Sequence, residues 1–222
     1  MERGMSMMKS SVKKIGALVA AAVMVCAIFV GCGSSKYDTS TPDGALMTQL
    51  DALKTGDFSQ LEGYSKEAIE ETGFTEAQLK DLMTSLFGKS TYTAQNVETV
   101  SDTEAKVTVS GKAVDMSKFI PIVSTEFLAK AKEFATKNDT TNMTAEEAQK
   151  QVMALFIDAA KAKKSSIELK DVTVTVTMEK KDGKWDVSSD DDNMNSLTEL
   201  LAGSTTEELV ESMQGLFGGS FA

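Results

Sequence analysis

The sequence predicts an α+β domain: a curved antiparallel sheet of about four strands packed against N-terminal, inserted and C-terminal helices. Two observations carry this expectation. Apolar residues at helical spacing follow well-marked capping residues, and two hairpin-like stretches of alternating residues stand between those helical blocks. Strands that follow one another through hairpins, set apart from the helices, belong to α+β folds with antiparallel sheets.

The first helix is marked by Thr41-Pro42, a capping residue before proline at the first helical position, where the missing N–H costs nothing. Leu46, Leu50 and Leu53 share one face, Gly56 closes the helix, and Asp57 with Gln60 can cap a second. Thr75 with Gln78, Thr144 with Glu147 and Thr205 with Glu208 repeat the spacing of a reciprocal capping box. After Thr75, the stripe Leu79, Leu82, Met83, Leu86 and Phe87 runs to Gly88. After Thr144 it is Ala148, Val152, Leu155, Phe156 and Ala159. Such stripes are core faces.

"TYTAQNVETV" and "EAKVTVSGKAV" predict a hairpin turning at Ser101-Asp102-Thr103. Ala105, Val107, Val109 and Ala113 are expected inside, with Lys106, Thr108, Ser110 and Lys112 outside. Residues 115–163 read as mostly helical, with Pro121 marking the start of a helix or a kink. A second hairpin follows, turning at Asp182-Gly183 and ending in a strand with Trp185 and Val187. Its long strand changes phase: Ile167 and Leu169 are odd, whereas Val172, Val174, Val176 and Met178 are even, which predicts a bulge near Lys170-Asp171. Helices at about 193–202 and 205–217 close a single domain over 41–217, with 218–222 as a tail.

The front of the chain carries an address. Arg3, Lys9, Lys13 and Lys14 precede an apolar run from Ile15 to Gly31, the layout of an export signal, although a run of about 17 residues also approaches the length of a membrane anchor. "FVGC", Phe29 to Cys32, resembles the bacterial lipobox, with Val30 and Gly31 before the cysteine and Phe29 in place of the usual leucine. The resemblance implies lipid on the Cys32 thiol, cleavage between Gly31 and Cys32, a signal peptide of residues 1–31, and attachment to the extracytoplasmic face of the cell membrane. "GSSKYDTSTP" after it is small and polar, so residues 32–40 read as a flexible tether. Cys26 lies in the apolar run and leaves with the signal.

Of 23 basic and 33 acidic residues in the 222-residue chain, four and one precede Cys32. The remainder therefore carries 19 and 32, a formal charge of −13. That charge disfavours nucleic acid and anionic lipid as partners. With one cysteine after cleavage, itself consumed by lipid, a disulfide framework is excluded.

A second resemblance rests on "TPDGALMTQLDALKTGDFSQLEGY" (41–64) and "KKDGKWDV" (180–187). These are similar to the opening helices and closing hairpin of nuclear transport factor 2-like and cystatin-like domains. It implies a cone-shaped sheet with Trp185 packed inside and, in lipoproteins of this kind, no assigned function. That family also includes isomerases and dehydratases, which act through an Asp and a Tyr or His. Tyr64, Tyr92 and Asp171 are the candidates here.

There is no histidine, and so the commonest base and metal ligand are missing. "SSDDDN" (188–193) is the densest acidic run, but it lacks the alternate ligands, central glycine and distal glutamate of a calcium loop, and helix capping explains it. No catalytic, cofactor-binding or metal-binding residue is assigned. The expected function is a lipid-anchored, non-catalytic module that binds a small ligand or a protein. The alternative is a small isomerase- or dehydratase-type enzyme.

Overall fold

The computed structural model of the chain describes residues 36–58, 75–138 and 143–217. Gly31, Cys32, the second helix read near Gln60, and Tyr64 lie outside these residues.

Helix α1 spans Pro42–Thr55. Thr41 caps it by accepting from the Gly44 N–H at 3.2 Å, and Gly56 closes it at φ 62°, a left-handed conformation that glycine adopts without strain. Leu46, Leu50 and Leu53 are buried. Helix α2 (Glu76–Phe87) starts with the reciprocal Thr75–Gln78 box. Its Thr84 hydroxyl reaches the Thr55 carbonyl at the end of α1.

Strands β1 (Thr91–Ser101) and β2 (Glu104–Val114) form the first hairpin, and β3 (Leu169–Lys181) and β4 (Lys184–Val187) the second. The sheet is an open antiparallel meander in the order β1-β2-β3-β4. Asp182 and Gly183 turn the second hairpin at φ 51° and 81°, the pair of positive values that a two-residue hairpin turn requires.

The expected bulge near Lys170-Asp171 does not occur. From Glu104↔Glu179 to Val114↔Leu169, β2 and β3 pair without a break in register. The change of phase has another cause: Ile167 precedes the strand, just after a 3₁₀ turn at Lys164–Ser166, and packs on the core from there. Leu169 opens β3 and is exposed. The irregularities lie in β1 instead, between Ala94 and Asn96 and between Thr99 and Ser101.

Between the hairpins, α3 (Met116–Lys137) and α4 (Ala145–Ala162) pack together, with the Phe127 and Phe156 rings edge to face at 6.4 Å. Pro121 lies inside α3 and the helix continues through it. Thr144 and Glu147 form the expected box at the start of α4. Helices α5 (Asp191–Ala202) and α6 (Thr206–Phe217) end the domain, and Thr205 with Glu208 boxes the last. Six helices are thus described around one four-stranded sheet.

Alternation along the strands decides which face is buried. Ala105, Val107, Val109 and Ala113 of β2, with Val172, Val174, Val176 and Met178 of β3, form the inner face. Helices α1 and α5 pack on that side, placing Leu46, Leu50, Leu200 and Leu201 in the same core. Lys106, Thr108, Ser110, Lys112, Thr173 and Thr175 point the other way, and among the described residues no helix covers them. β1 is an edge strand.

Candidate functional site

The acidic run at 188–193 becomes a junction that closes the sheet. Asp190 caps α5 by accepting from the Asn193 N–H at 2.9 Å. That hydrogen bond, followed by one from the Ser188 hydroxyl, holds the Asp190 carboxyl below its usual range. The Ser188 hydroxyl is 2.7 Å from a Glu179 carboxylate oxygen and 2.8 Å from Asp190 Oδ2. It has one proton, so it serves one carboxylate at a time. Glu179 is held low as well, first by Ser188 and then by Lys181.

Asn193 is the most connected side chain in this junction. It is 4% exposed, and its Oδ1 accepts from the Thr177 N–H at 2.6 Å. Its Nδ2 donates to the Thr177 carbonyl at 3.0 Å and the Ser188 carbonyl at 2.6 Å. The amide thus extends the ladder of β3 just where β4 has ended. Reading the run as a helix start finds Asp190, but not Asn193, because two of its three backbone partners belong to Thr177, 16 residues back.

A second polar group sits where β2 hands over to α3. Asp115 is buried, and burial alone would raise its carboxyl. Hydrogen bonds from the Ser117 hydroxyl, the Lys118 N–H and the Lys118 ammonium outweigh burial and hold it low. Lys118 also pairs with Glu168 at 2.8 Å, and the Ser204 hydroxyl, fully buried, accepts from the Ser117 N–H. This cluster ties α3 to the start of β3 and the end of α5.

Among the described residues, the outer sheet face presents a broad polar surface on the central strands. Thr108 and Thr175 hydroxyls meet at 3.1 Å across β2 and β3, and Lys112 pairs with Asp171 at 2.9 Å. The inner face offers no comparable group on its central strands: Val107, Val109, Val176 and Met178 show no exposure at all.

Asp171 and Tyr92 lie on opposite faces of the sheet. Tyr92 pairs with Gly111 and Gly111 with Val172, all on the inner side, where Tyr92 is buried. Asp171 is one residue out of phase and its side chain is 83% exposed. The sheet does not bring this pair together. Trp185 is buried, with the Lys180 ammonium 5.6 Å from its ring centroid. Among the described residues no three Asp, Glu, His or Cys side chains gather in a way that could hold a metal ion, and no helix is long and apolar enough to cross a membrane.

A family model described as a domain of unknown function (DUF5105) matches residues 39–202. No curated protein matches the chain. Among solved structures, the crystal structure of a candidate lipoprotein (ycdA) from Bacillus subtilis subsp. subtilis str. 168 is similar at 22% identity and a TM-score of 0.44. The match covers 72% of this chain and 55% of that one. The chain therefore spans little more than half the length of that protein.

Proposed function

The chain belongs to the DUF5105 family, a domain of unknown function, and we propose that it is a bacterial lipoprotein whose domain is a non-catalytic interaction module. The observation that carries the anchor is "FVGC" at the end of an apolar run that follows four basic residues. Lipid is carried on the Cys32 thiol, the signal peptide is removed before it, and the acyl chains hold the domain on the extracytoplasmic face of the cell membrane. More than one acyl chain is needed for stable attachment, since a single chain binds only marginally.

The module's working surface is the outer face of the sheet. Support comes from the contrast between the two faces. The inner one is filled with aliphatic side chains, whereas the outer one presents Thr108, Ser110, Thr173 and Thr175 on strands that the core holds rigid. That geometry favours a broad partner, such as a neighbouring protein, over an enclosed small ligand. Strand-borne hydroxyls supply hydrogen bonds without the ordering cost of long charged side chains.

Cys32→Ala tests the anchor. The variant is expected to lose labelled palmitate and to leave the membrane fraction, and continued labelling of the variant would refute the assignment.

A further inference from the structure

The first described residues do not hang free of the domain. Lys36 Nζ lies 3.2 Å from Asp51 Oδ1 and 4.7 Å from the Tyr37 ring centroid, and Tyr37 packs against the core. Asp38 accepts from the Ser40 N–H and hydroxyl through its carboxylate, and from the Thr41 N–H through its carbonyl. That carbonyl oxygen would stand 1.9 Å from a Cβ at position 44, so only glycine lets it approach the helix so closely. Residues 36–41 therefore form a strap along α1, with Asp38 beside Gly44 and Lys36 beside Asp51.

At about 100° per residue, Gly44, Thr48, Asp51 and Thr55 share one stripe of α1, in which Gly44 and Thr48 are buried, Asp51 is half-buried and Thr55 is exposed. Leu46, Leu50 and Leu53 fall on the opposite side, toward the sheet. Among the described residues the order is thus strap, α1, sheet, and then the outer face with its threonines.

Chain length turns this order into an orientation. With lipid on Cys32, only residues 33–35 separate the anchored residue from Lys36. Four residue steps span at most about 14 Å. A compact domain of about 180 residues has a radius of gyration near 16 Å, hence a width of roughly 40 Å. A leash a third of the domain's width cannot bring the far face to the membrane. Lys36 pairs with Asp51 at the point of closest approach and Asp38 leaves one negative charge on the strap, which suits a zwitterionic lipid surface better than an anionic one.

We propose that the strap, with the exposed Thr55 end of α1 beside it, is the domain's seat on the lipid surface that holds Cys32, turning the outer sheet face away from the membrane. The proposal rests on the lipid anchor described above, and it deepens that reading by assigning one face to the membrane and the other to the partner.

The test uses the full lipidated chain. Its Cys32 thiol is consumed and Cys26 has left with the signal peptide, so Thr55→Cys and Thr173→Cys each provide one labelling site. A fluorophore is placed at position 55 or 173, and the protein is reconstituted into phosphatidylcholine vesicles carrying a nitroxide on the headgroup. Position 55 is expected to lose most of its fluorescence and position 173 little. Equal quenching at the two positions, in a chain that floats with the vesicles and carries labelled palmitate, would overturn the seat while leaving the anchor intact. A chain without lipid label would overturn the anchor, and the seat with it. Gly44→Leu should eject the Asp38 carbonyl and free nine residue steps, about 32 Å of leash, making quenching at 55 and 173 converge without loss of flotation. An unchanged difference in that variant would show that the strap does not set the orientation.

Discussion

Asn193→Ala should cost far more stability than a polar substitution at a helix start normally does. The side chain is 4% exposed and makes three hydrogen bonds to backbone. Its removal leaves the Thr177 carbonyl with the Ser188 N–H, but strips the Thr177 N–H and the Ser188 carbonyl of the partners Asn193 provides. Each stranded buried group costs about 1–3 kcal/mol, or about 4 kcal/mol for the two. Alanine's better helix propensity returns about 0.5 kcal/mol, for a net loss of about 3.5 kcal/mol. With a urea m-value of about 2 kcal/mol/M, the midpoint should fall by about 1.7 M. Trp185 is the only tryptophan and lies buried on β4, so its fluorescence follows this junction directly. Asn193→Asp sharpens the test. Its carboxylate would keep the Thr177 N–H but turn an oxygen toward two carbonyls, so the folded state would favour the protonated acid. A group whose folded pKa is raised loses stability as pH climbs from its unfolded toward its folded value. The aspartate variant should therefore approach the wild type at pH 4 and fall away by pH 7. A midpoint shift below about 0.5 M for alanine, or a pH-independent aspartate variant, would refute the clamp.

Two glycines should separate close packing from backbone strain. Gly111→Ala places a Cβ 1.8 Å from the Thr91 carbonyl oxygen and should disrupt the β1–β2 pairing severely, whereas Gly183→Ala meets nothing within 4 Å and should cost only the roughly 1 kcal/mol of a positive φ; thermal melts of the two variants compare them. For Asp115 the folded carboxyl is depressed, so its contribution is present above the unfolded value near 3.8 and is lost as pH falls through the folded one. Asp115→Asn should therefore flatten the acid limb of the stability profile, measured by urea midpoints between pH 6 and pH 2; an unchanged slope would count against the cluster at the start of α3.

What the sequence made legible was what is decided locally. Thr75 and Gln78, or Thr144 and Glu147, need only one another and the first turn between them, so the boxes could be located before any fold was known. The alternation of β2 was equally readable, because eleven residues sample both faces. The phase change at Ile167 was visible, but its cause was not. A bulge and a late strand start leave the same odd-to-even mark, and the 3₁₀ turn that separates them carries only Lys and Ser. The β1 irregularity near Gln95 had no glycine to announce it. Asn193 and the strap escaped for a shared reason: their partners lie across the fold or on the far side of a helix. Gly44 was the available signal for the strap, a glycine inside a helix where alanine would serve better.

The irregular β1 edge takes on a different meaning if lipid on Cys32, as proposed, confines the protein to a plane. It runs for eleven residues with one charge, Glu98, no proline, and Val97 and Val100 both exposed. In dilute solution such an edge rarely finds another. Copies sharing a bilayer surface meet at far higher effective concentration, and a smooth edge would template sheet growth from molecule to molecule. Two irregularities within one strand spoil that template, since a bulged strand no longer offers evenly spaced N–H and C=O groups to a straight one. Under the proposed anchor, crowding in two dimensions would give β1 a reason to be uneven.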